Sequence, residues 1–260
     1  MAVSQKRIER IWVYLIREIG NDYGVSGLMG NLMAESNLNP ELLQSTGRQA
    51  YSLSNAKYCE AVNHEIITKS KFIRDGFGFG LAQWTYRTRK ERLYNHWLSY
   101  KNCCNKANIG DLYIQLEYLV MELKSKSYKT KVFDKLKNVK SVMEATEIVM
   151  KNYEKPADQS DKALKKRYDY AEKIYKTMNG EVSTTPTAKD FIKKYVRVNR
   201  TSVYVRSGPN TGYDAEGIAY KGDLYPYLKR AEKGKGWYKI IYRDKECWIT
   251  DKYTTICEED

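Results

Sequence analysis

One carboxylate in this sequence stands where it could donate a proton. Glu35 closes a run of apolar residues whose spacing is typical of one helix face, namely Val25, Leu28, Met29, Leu32 and Met33. It follows Leu32 by three residues and is therefore predicted to share that inward face, with Pro40 ending the helix. Apolar surroundings and the negative end of a helix dipole both disfavour an ionised carboxyl group. The pattern predicts a general acid, which cleavage of a glycosidic bond requires.

The second candidate element is a glycine-rich segment, Phe77-Gly-Phe-Gly-Leu-Ala-Gln-Trp-Thr85. Gly78 and Gly80 would let the backbone approach a ligand closely, because they carry no side chain. Trp84 could lay its flat ring against the face of a sugar, although a place in the core is almost as reasonable an interpretation. The segment is thus predicted to form the floor of a binding site.

Helices are predicted to position these residues. Apolar residues recur at helical spacing in five further stretches: 5–19, 88–102, 111–125, 141–153 and 161–178. Residues 41–75 are polar and show no such period, so we expect a cleft-side loop or a small hairpin there. The first part of the chain is therefore predicted to be mostly helical.

Glu35-Ser-Asn-Leu-Asn-Pro40 and Gly78-Phe-Gly-Leu-Ala-Gln-Trp-Thr85 together resemble the phage tail lysozyme family, which is more distantly related to goose-type lysozymes and soluble lytic transglycosylases. The resemblance covers residues 8–178 and implies a lysozyme-like fold that cleaves the glycan of peptidoglycan. It implies that Glu35 is the general acid and that Gln83 hydrogen-bonds substrate or water. Ser36 would orient the acid or merely cap the helix, and Gly80 and Thr85 would contact substrate.

The sequence leaves open which residue acts as the second catalytic group beside Glu35. Glycosidases commonly add a second carboxylate, about 5 Å from the acid in retaining enzymes and about 6.5–9.5 Å in inverting ones. Asp75, just before the glycine segment, resembles in placement an aspartate of goose-type lysozymes, although an Asp before Gly also stabilises turns. Where those enzymes can carry a further aspartate, Thr85 stands here. A lytic transglycosylase reaction, in which the substrate's own 6-hydroxyl attacks, is therefore also compatible.

A late motif completes the resemblance. Asn152-Tyr153-Glu154-Lys-Pro156, followed by Arg167, is similar to a closing motif of the same family. The resemblance implies that Tyr153 and Glu154 face the cleft, contact substrate and support the acid. A structural ion pair between Glu154 and a basic residue is the alternative.

After residue 180 the sequence changes character. Glu181-Val-Ser-Thr-Thr-Pro-Thr-Ala188 is polar and contains proline, as linkers do. Beyond it the period becomes that of short strands separated by turns, and Ser202–Thr211, Gly236–Ile240 and Cys247–Ile249 resemble a bacterial SH3 domain over 195–256. The predicted fold is an α+β two-domain chain, with a mainly α lysozyme-like domain at 1–180, a linker at 181–194 and a small all-β, SH3-like barrel at 195–260.

The SH3-like family commonly binds Gram-positive peptidoglycan, so the resemblance implies a wall-binding module. The candidate wall-binding residues are Tyr204, Arg206, Asn210, Tyr213 and Trp237. Whether the module takes a wall peptide or a glycan is left open by the sequence.

Charge and composition indicate which classes of molecule the chain could bind. The 260 residues contain 45 Lys and Arg against 32 Asp and Glu, a formal net charge of +13, which favours polyanions. No nucleic-acid motif accompanies this charge, and basic residues are interleaved with acidic ones. We therefore expect the anionic wall of a Gram-positive bacterium, with its teichoic acids, instead of nucleic acid. The five cysteines and two histidines lack metal-ligand spacing, so no metal or other cofactor is expected.

No signal-peptide pattern and no membrane-spanning apolar run are visible. This is expected of a phage endolysin, a monomer made in the host cytoplasm that reaches the wall through a separate pore, or of part of a phage tail. The predicted reaction is hydrolysis of the β-1,4 bond between N-acetylmuramic acid and N-acetylglucosamine. The alternatives are a lytic transglycosylase, an N-acetylglucosaminidase, a non-catalytic tail-associated wall-binding protein and, with less support, a nucleic-acid binder.

Overall fold

The computed structural model describes residues 3–102, 107–179, 194–231, 236–243 and 245–258. The chain divides into two compact units, residues 1–96 with 108–181 and residues 97–107 with 182–260. We call the first the helical unit and the second the strand unit. Apart from Lys194, the predicted linker 181–194 lies outside the described residues.

The first part of the chain is mostly helical, as its periodicity predicts. Its helices are α1 (Gln5–Ile19), α2 (Asp22–Ser36), α3 (Ser45–Tyr51), α4 (Asn55–Asn63), α5 (Lys69–Arg74), α6 (Arg87–Lys101), α7 (Leu112–Leu123), α8 (Asp134–Leu136), α9 (Val142–Val149) and α10 (Asp161–Asn179). A π-helical turn at Lys129–Phe133 precedes α8, and a second one at Met150–Glu154 follows α9. Among the described residues, no helix combines the length and the apolar character needed to cross a membrane.

The expectation of a loop or hairpin over residues 41–75 is wrong, because this stretch folds into α3, α4 and α5. Each of these helices is too short to show an apolar period. Capping side chains mark where α4 and α5 begin. Ser54 accepts a hydrogen bond from the Lys57 N–H, and Thr68 accepts one from the Lys71 N–H.

Helix α2 runs through the middle of the helical unit and is buried around most of its circumference, not on one face as its apolar spacing predicts. Small residues make this possible. A β-carbon added at Gly27 would lie 2.4 Å from the Ala145 Cβ of α9, closer than atoms can approach. The helix ends at Asn37, whose left-handed conformation (φ 53°) stops it before Pro40 is reached.

The strand unit is an antiparallel sheet, in agreement with the predicted SH3-like fold. Its strands are β1 (Lys194–Val198), β2 (Ser202–Arg206), β3 (Ala215–Tyr220), β4 (Leu224–Arg230), β5 (Trp237–Tyr242), β6 (Lys245–Thr250) and β7 (Thr254–Glu258). They are ordered β3-β2-β6-β5-β4-β1-β7. The core of the sheet is formed by Val196, Val198, Val203, Val205, Ala219, Ile240, Tyr242, Cys247 and Ile249.

Candidate active site

Glu35 lies in the last turn of α2, where this helix packs against α10. Its Oε1 accepts a hydrogen bond from Arg167 Nη2 of α10 at 2.7 Å. The Arg167 side chain is 9% exposed and the Glu35 side chain 20% exposed, so the pair is mostly shielded while the carboxyl still meets solvent. Within the described part of the chain, no donor contacts Glu35 Oε2. The protein therefore holds one carboxyl oxygen and leaves the other unengaged.

The contact between Glu35 and Arg167 depends on a close approach of α2 and α10 at Gly30. A β-carbon added at Gly30 would lie 2.5 Å from Ala171 Cβ and 2.6 Å from the Arg167 carbonyl oxygen. Any larger residue at this position would push α10 away and move Arg167 relative to Glu35. Gly30 is thus part of the geometry that positions the acid.

A second carboxyl, Glu154, ends the π-helical turn Met150–Glu154 and is electrostatically coupled to this pair. Its Oε1 is shielded from solvent and has no hydrogen-bond partner among the residues that the structure describes. Burial raises the pKa of Glu154 well above its usual range, and the nearby charge of Glu35 raises it further, against the opposing effect of Arg89 and Arg167. Glu154 is therefore held as a neutral acid next to the paired carboxyl.

Glu122 of α7 accepts from several donors in the core of the same unit. Arg89 binds it with two hydrogen bonds of 2.8 Å, and Trp84 Nε1, Tyr153 Oη and Tyr118 Oη donate at 3.0, 2.6 and 3.1 Å. Burial raises the pKa of Glu122, but the bonds from Arg89, Tyr153 and Trp84 outweigh it and hold the pKa below its usual value. These five residues, called here the Glu122 network, tie the glycine segment to the turn that carries Glu154.

Comparisons with known proteins agree with this architecture. A family model described as phage tail lysozyme matches residues 6–178, which is more than half of the chain, and one described as bacterial SH3 domain matches residues 201–255. The chain belongs to the phage tail lysozyme family. No curated protein matches it. It is therefore a lysozyme-like, glycan-cleaving enzyme with a bacterial SH3 domain, a protein that degrades and binds the cell wall.

In this phage tail lysozyme, Asp75 is enclosed by protein donors. Its Oδ1 accepts from the Phe77 N–H at 3.1 Å and from Lys90 Nζ, and its Oδ2 accepts from Tyr58 Oη at 2.7 Å and Tyr51 Oη at 3.4 Å. The Lys90 side chain is 0% exposed and that of Asp75 3% exposed. Burial lowers the pKa of Lys90, against the attraction of Asp75. Asp75 thus anchors the start of the glycine segment in a buried ion pair, an arrangement unsuited to activating water.

The glycine segment is held by backbone and amide hydrogen bonds. Gly80 adopts φ +77°, and a β-carbon there would lie 2.5 Å from Gln115 Oε1, which accepts from the Leu81 N–H at 2.9 Å. Gln83, itself at φ +43°, donates through Nε2 to the carbonyls of Leu42 and Gly80 at 3.1 and 3.0 Å. Glycine at position 80 therefore makes room for Gln115, and the Gln83 amide closes the loop on itself.

Three predicted substrate contacts are corrected by their environments. Trp84 is 0% exposed and donates to Glu122, so it is a core residue and presents no face to a sugar. Ser36 is buried and donates from Oγ to the Leu32 carbonyl of its own helix, so it does not orient Glu35. Tyr153 is buried with its hydroxyl on Glu122.

Thr85, predicted to contact substrate, is half-buried and uses its hydroxyl to bind the Gln83 carbonyl at 2.9 Å. The structure thus brings Glu35 and Glu154 together around Arg167. It places Asp75 in a separate ion pair with Lys90. Of the predicted site residues, Glu35 and Glu154 retain an arrangement that could take part in proton transfer.

Glu122 and Arg89 are the site-supporting residues that the sequence interpretation missed. A signal for Glu122 was available, because an acid in the strongly apolar helix α7 needs a buried partner. Arg89 offered no such signal, since it lies among many basic residues at the start of α6.

Two surface pockets of the helical unit do not include Glu35. One has a volume of about 590 Å³ and is lined by Ala50, Tyr51, Thr68, Ser70, Lys71, Arg74, Asp75 and Phe77. The other has a volume of about 570 Å³ and is lined by Arg92, Asn95, His96, Tyr118, Met121, Glu122, Ser125, Lys126 and Ser127. Glu35 lines neither of them, so the carboxyl lies outside these two pockets.

In the SH3 domain, the structure brings most of the predicted wall-binding residues together. Arg206 donates to the Tyr213 carbonyl at 2.7 Å, and its guanidinium lies 5.4 Å from the Tyr204 ring centroid. Tyr204 and Tyr213 are 49% and 46% exposed. Asn210 shapes the turn between β2 and β3 by accepting from the Gly212 N–H. These residues form one aromatic and cationic surface.

Trp237 lies on the same side of the sheet as this surface but on a different strand. In the register of the sheet, Arg206 of β2 is opposite Trp248 of β6, which is opposite Lys239 of β5. Strand residues alternate between the two faces, and Trp237 is two positions from Lys239. Trp248, which the sequence interpretation did not select, therefore lies between Arg206 and Lys239 on this face.

Proposed function

We propose that this enzyme is a phage endolysin that hydrolyses the β-1,4 bond between N-acetylmuramic acid and N-acetylglucosamine, with Glu35 as general acid. The observation that supports this assignment is the half-engaged carboxyl of Glu35. Arg167 holds Oε1 while the partly exposed side chain keeps Oε2 free of protein donors in the described residues. The neutral acid Glu154 lies close enough to be coupled to it.

In the proposed reaction the carboxyl of Glu35 gives its proton to the oxygen that joins the two sugars. The bond between the anomeric carbon and that oxygen breaks, and the departing sugar leaves with a hydroxyl group. Positive charge then develops on the anomeric carbon and its ring oxygen. Water adds to the anomeric carbon and gives its extra proton to the carboxylate of Glu35, which restores the acid. Arg167 holds Glu35 in place, and Glu154 stays neutral because burial raises its pKa and the nearby charge of Glu35 raises it further. Asp75 has no part in the proposed reaction.

The decisive experiment compares Glu35→Gln with Glu147→Gln on purified peptidoglycan. Glu147 is an exposed acid paired with Lys151 and serves as the control. Glu35→Gln should lose about 10²–10⁴-fold in rate, the usual contribution of general acid catalysis, with an unchanged circular dichroism spectrum. Glu147→Gln should retain the parent's rate. Full activity of Glu35→Gln would refute the assignment, and inactivity of the parent would favour a tail-associated protein that only holds the wall.

A lytic transglycosylase is the second candidate, and the enclosure of Asp75 favours it, since no second carboxylate is then required for water activation. Mass spectrometry of the digest separates the two reactions. Hydrolysis yields a reducing end, whereas attack by the substrate's own 6-hydroxyl yields a 1,6-anhydro end. The identity of the terminal sugar also distinguishes an N-acetylglucosaminidase from a muramidase.

For the SH3 domain we propose that Tyr204, Arg206, Asn210, Tyr213 and Trp237 bind the peptidoglycan of a Gram-positive wall. The chain is proposed to act as a monomer, to be made in the host cytoplasm and to work on the cell wall, so that it would be bacteriolytic when added from outside. Tyr204→Ala in the full chain should weaken sedimentation with purified walls. Its cleavage of soluble glycan fragments should stay at the parent's rate.

A further inference from the structure

Residues 124–140 concentrate the positive charge of the chain. They contain seven lysines and one aspartate, a net charge of +6 out of the chain's +13. The expectation that basic residues are interleaved with acidic ones therefore fails in this stretch, which we call the basic segment. Its lysines are Lys124, Lys126, Lys129, Lys131, Lys135, Lys137 and Lys140.

The fold turns these lysines outward. Val132, Phe133, Leu136 and Val139 of the same segment are between 0% and 5% exposed and anchor the π-helical turn and α8 in the core. All seven lysines between and around them are exposed. The basic segment is therefore a surface with a defined backbone and a high density of positive charge.

Most of this charge is not neutralised by the protein. Lys124 pairs with Glu18 at 2.6 Å, and Lys129 pairs with Asp134 at 3.0 Å. Among the residues that the structure describes, no carboxylate lies within ion-pair distance of the other five, which are Lys126, Lys131, Lys135, Lys137 and Lys140. Like charges this close together repel one another, so an external polyanion would stabilise the surface.

Three lysines elsewhere in the helical unit provide a contrast, because each is paired with a carboxylate. In α10, Lys165 pairs with Asp169 at 2.9 Å and Lys176 pairs with Glu172 at 3.1 Å. Lys151 likewise pairs with Glu147. These lysines belong to locally neutral pairs one helical turn apart, which supports a role for the basic segment that the paired lysines do not share.

We propose that the basic segment binds the phosphodiester chain of a wall teichoic acid. The inference rests on the proposed function for the location of the polyanion, since a wall-cleaving enzyme meets teichoic acid next to its substrate. The exposed lysines of the basic segment favour a ligand that is recognised through its phosphate groups alone. Of the two aromatic side chains of the segment, Phe133 is buried, and Tyr128 is half-buried and packs edge-on against Tyr153 with ring centroids 5.1 Å apart, so neither offers a platform for stacked bases.

The test compares two triple variants of the full chain with equal net charge. Lys131→Gln, Lys135→Gln and Lys137→Gln remove charge from the basic segment. Lys151→Gln, Lys165→Gln and Lys176→Gln remove the same charge from neutral pairs. Binding to purified, soluble wall teichoic acid is titrated over a range of salt concentrations. Three lost phosphate contacts should reduce the log–log salt slope by about 2 and the affinity at about 0.1 M salt roughly 10- to 100-fold, by counterion release.

The basic-segment variant should show this loss, while the control variant stays within about twofold of the parent, as expected for paired surface lysines. Equal losses in both variants, or none in either, would overturn the proposal. If the basic-segment variant loses affinity for double-stranded DNA but not for teichoic acid, the ligand is nucleic acid and the proposal is also overturned. Walls stripped of teichoic acid with hydrofluoric acid should be cleaved equally by both variants. If the parent fails to cleave them, the proposed function fails, whereas the soluble-polymer titration is unaffected.

Discussion

Replacing Glu154 by Gln should make the stability of the helical unit less sensitive to rising pH. An unfolded Glu titrates near pH 4.3, while burial raises the pKa of Glu154 well above that in the folded chain. Between the two values the folded state holds one more proton than the unfolded state. The contribution of a neutral Glu154 to stability is therefore fully present below the unfolded pKa and is lost as pH rises toward the folded pKa.

The magnitude follows from proton linkage. One proton held only by the folded state costs about 1.4 kcal/mol of stability for each unit of rising pH. Between pH 5 and pH 7 the upper limit is thus about 3 kcal/mol. Glu154 is half-buried as a residue, and partial screening by solvent reduces the expected change to about 1–2 kcal/mol. Gln has the same shape and no titration, so this dependence disappears in the variant.

Thermal unfolding followed by circular dichroism at the helical band checks this expectation. The Tm of Glu154→Gln minus that of the parent should increase by about 2–8 °C from pH 5 to pH 7, at about 2–4 °C per kcal/mol for a domain of this size. Glu147→Gln, which removes an exposed acid, should follow the parent at each pH. A Tm difference that stays constant, or that decreases with pH, would mean that Glu154 is ionised in the folded chain and would refute the reasoning.

Two further substitutions test the networks around the site. Trp84→Phe removes one donor from Glu122 and should lower the free energy of unfolding, measured with a chemical denaturant, by about 1–3 kcal/mol. The KM for soluble glycan fragments should stay unchanged because Trp84 is buried. A raised KM would show that Trp84 contacts sugar. Lys90→Met leaves the buried Asp75 without its cation and should cost about 3–5 kcal/mol. Adding Asp75→Asn should restore part of that loss, and a Lys90→Met variant as stable as the parent would contradict the ion-pair assignment.

Local signals made part of the fold predictable. Helix α1 combines an apolar period with Ser4 at its start and Gly20 at its end, and both residues cap it in the structure. The strands of the SH3 domain follow from alternating residues between turns. The short helices α3, α4 and α5 were missed because they owe their existence to caps and to packing against the rest of the unit, and six to nine residues are too few for a recognisable period.

The site was predictable to a lesser degree, because its geometry arises from residues far apart in sequence. Glu35 is a partly shielded side chain at a helix end, but its partner Arg167 lies 132 residues away in sequence. The same holds for Asp75, whose placement before a glycine gave no hint of Lys90. Trp84 shows the opposite difficulty, since an aromatic residue in a loop motif looks the same whether it faces a ligand or the core.

Glu122 and Glu154 have opposite protonation states, and this difference separates their roles at the site. Glu122 takes the bonds of Arg89, Trp84 and the two tyrosines and stays ionised, whereas Glu154 Oε1 finds no donor among the described residues and burial keeps Glu154 neutral. An environment that drives two carboxyl groups in opposite directions separates a structural anion from a proton carrier.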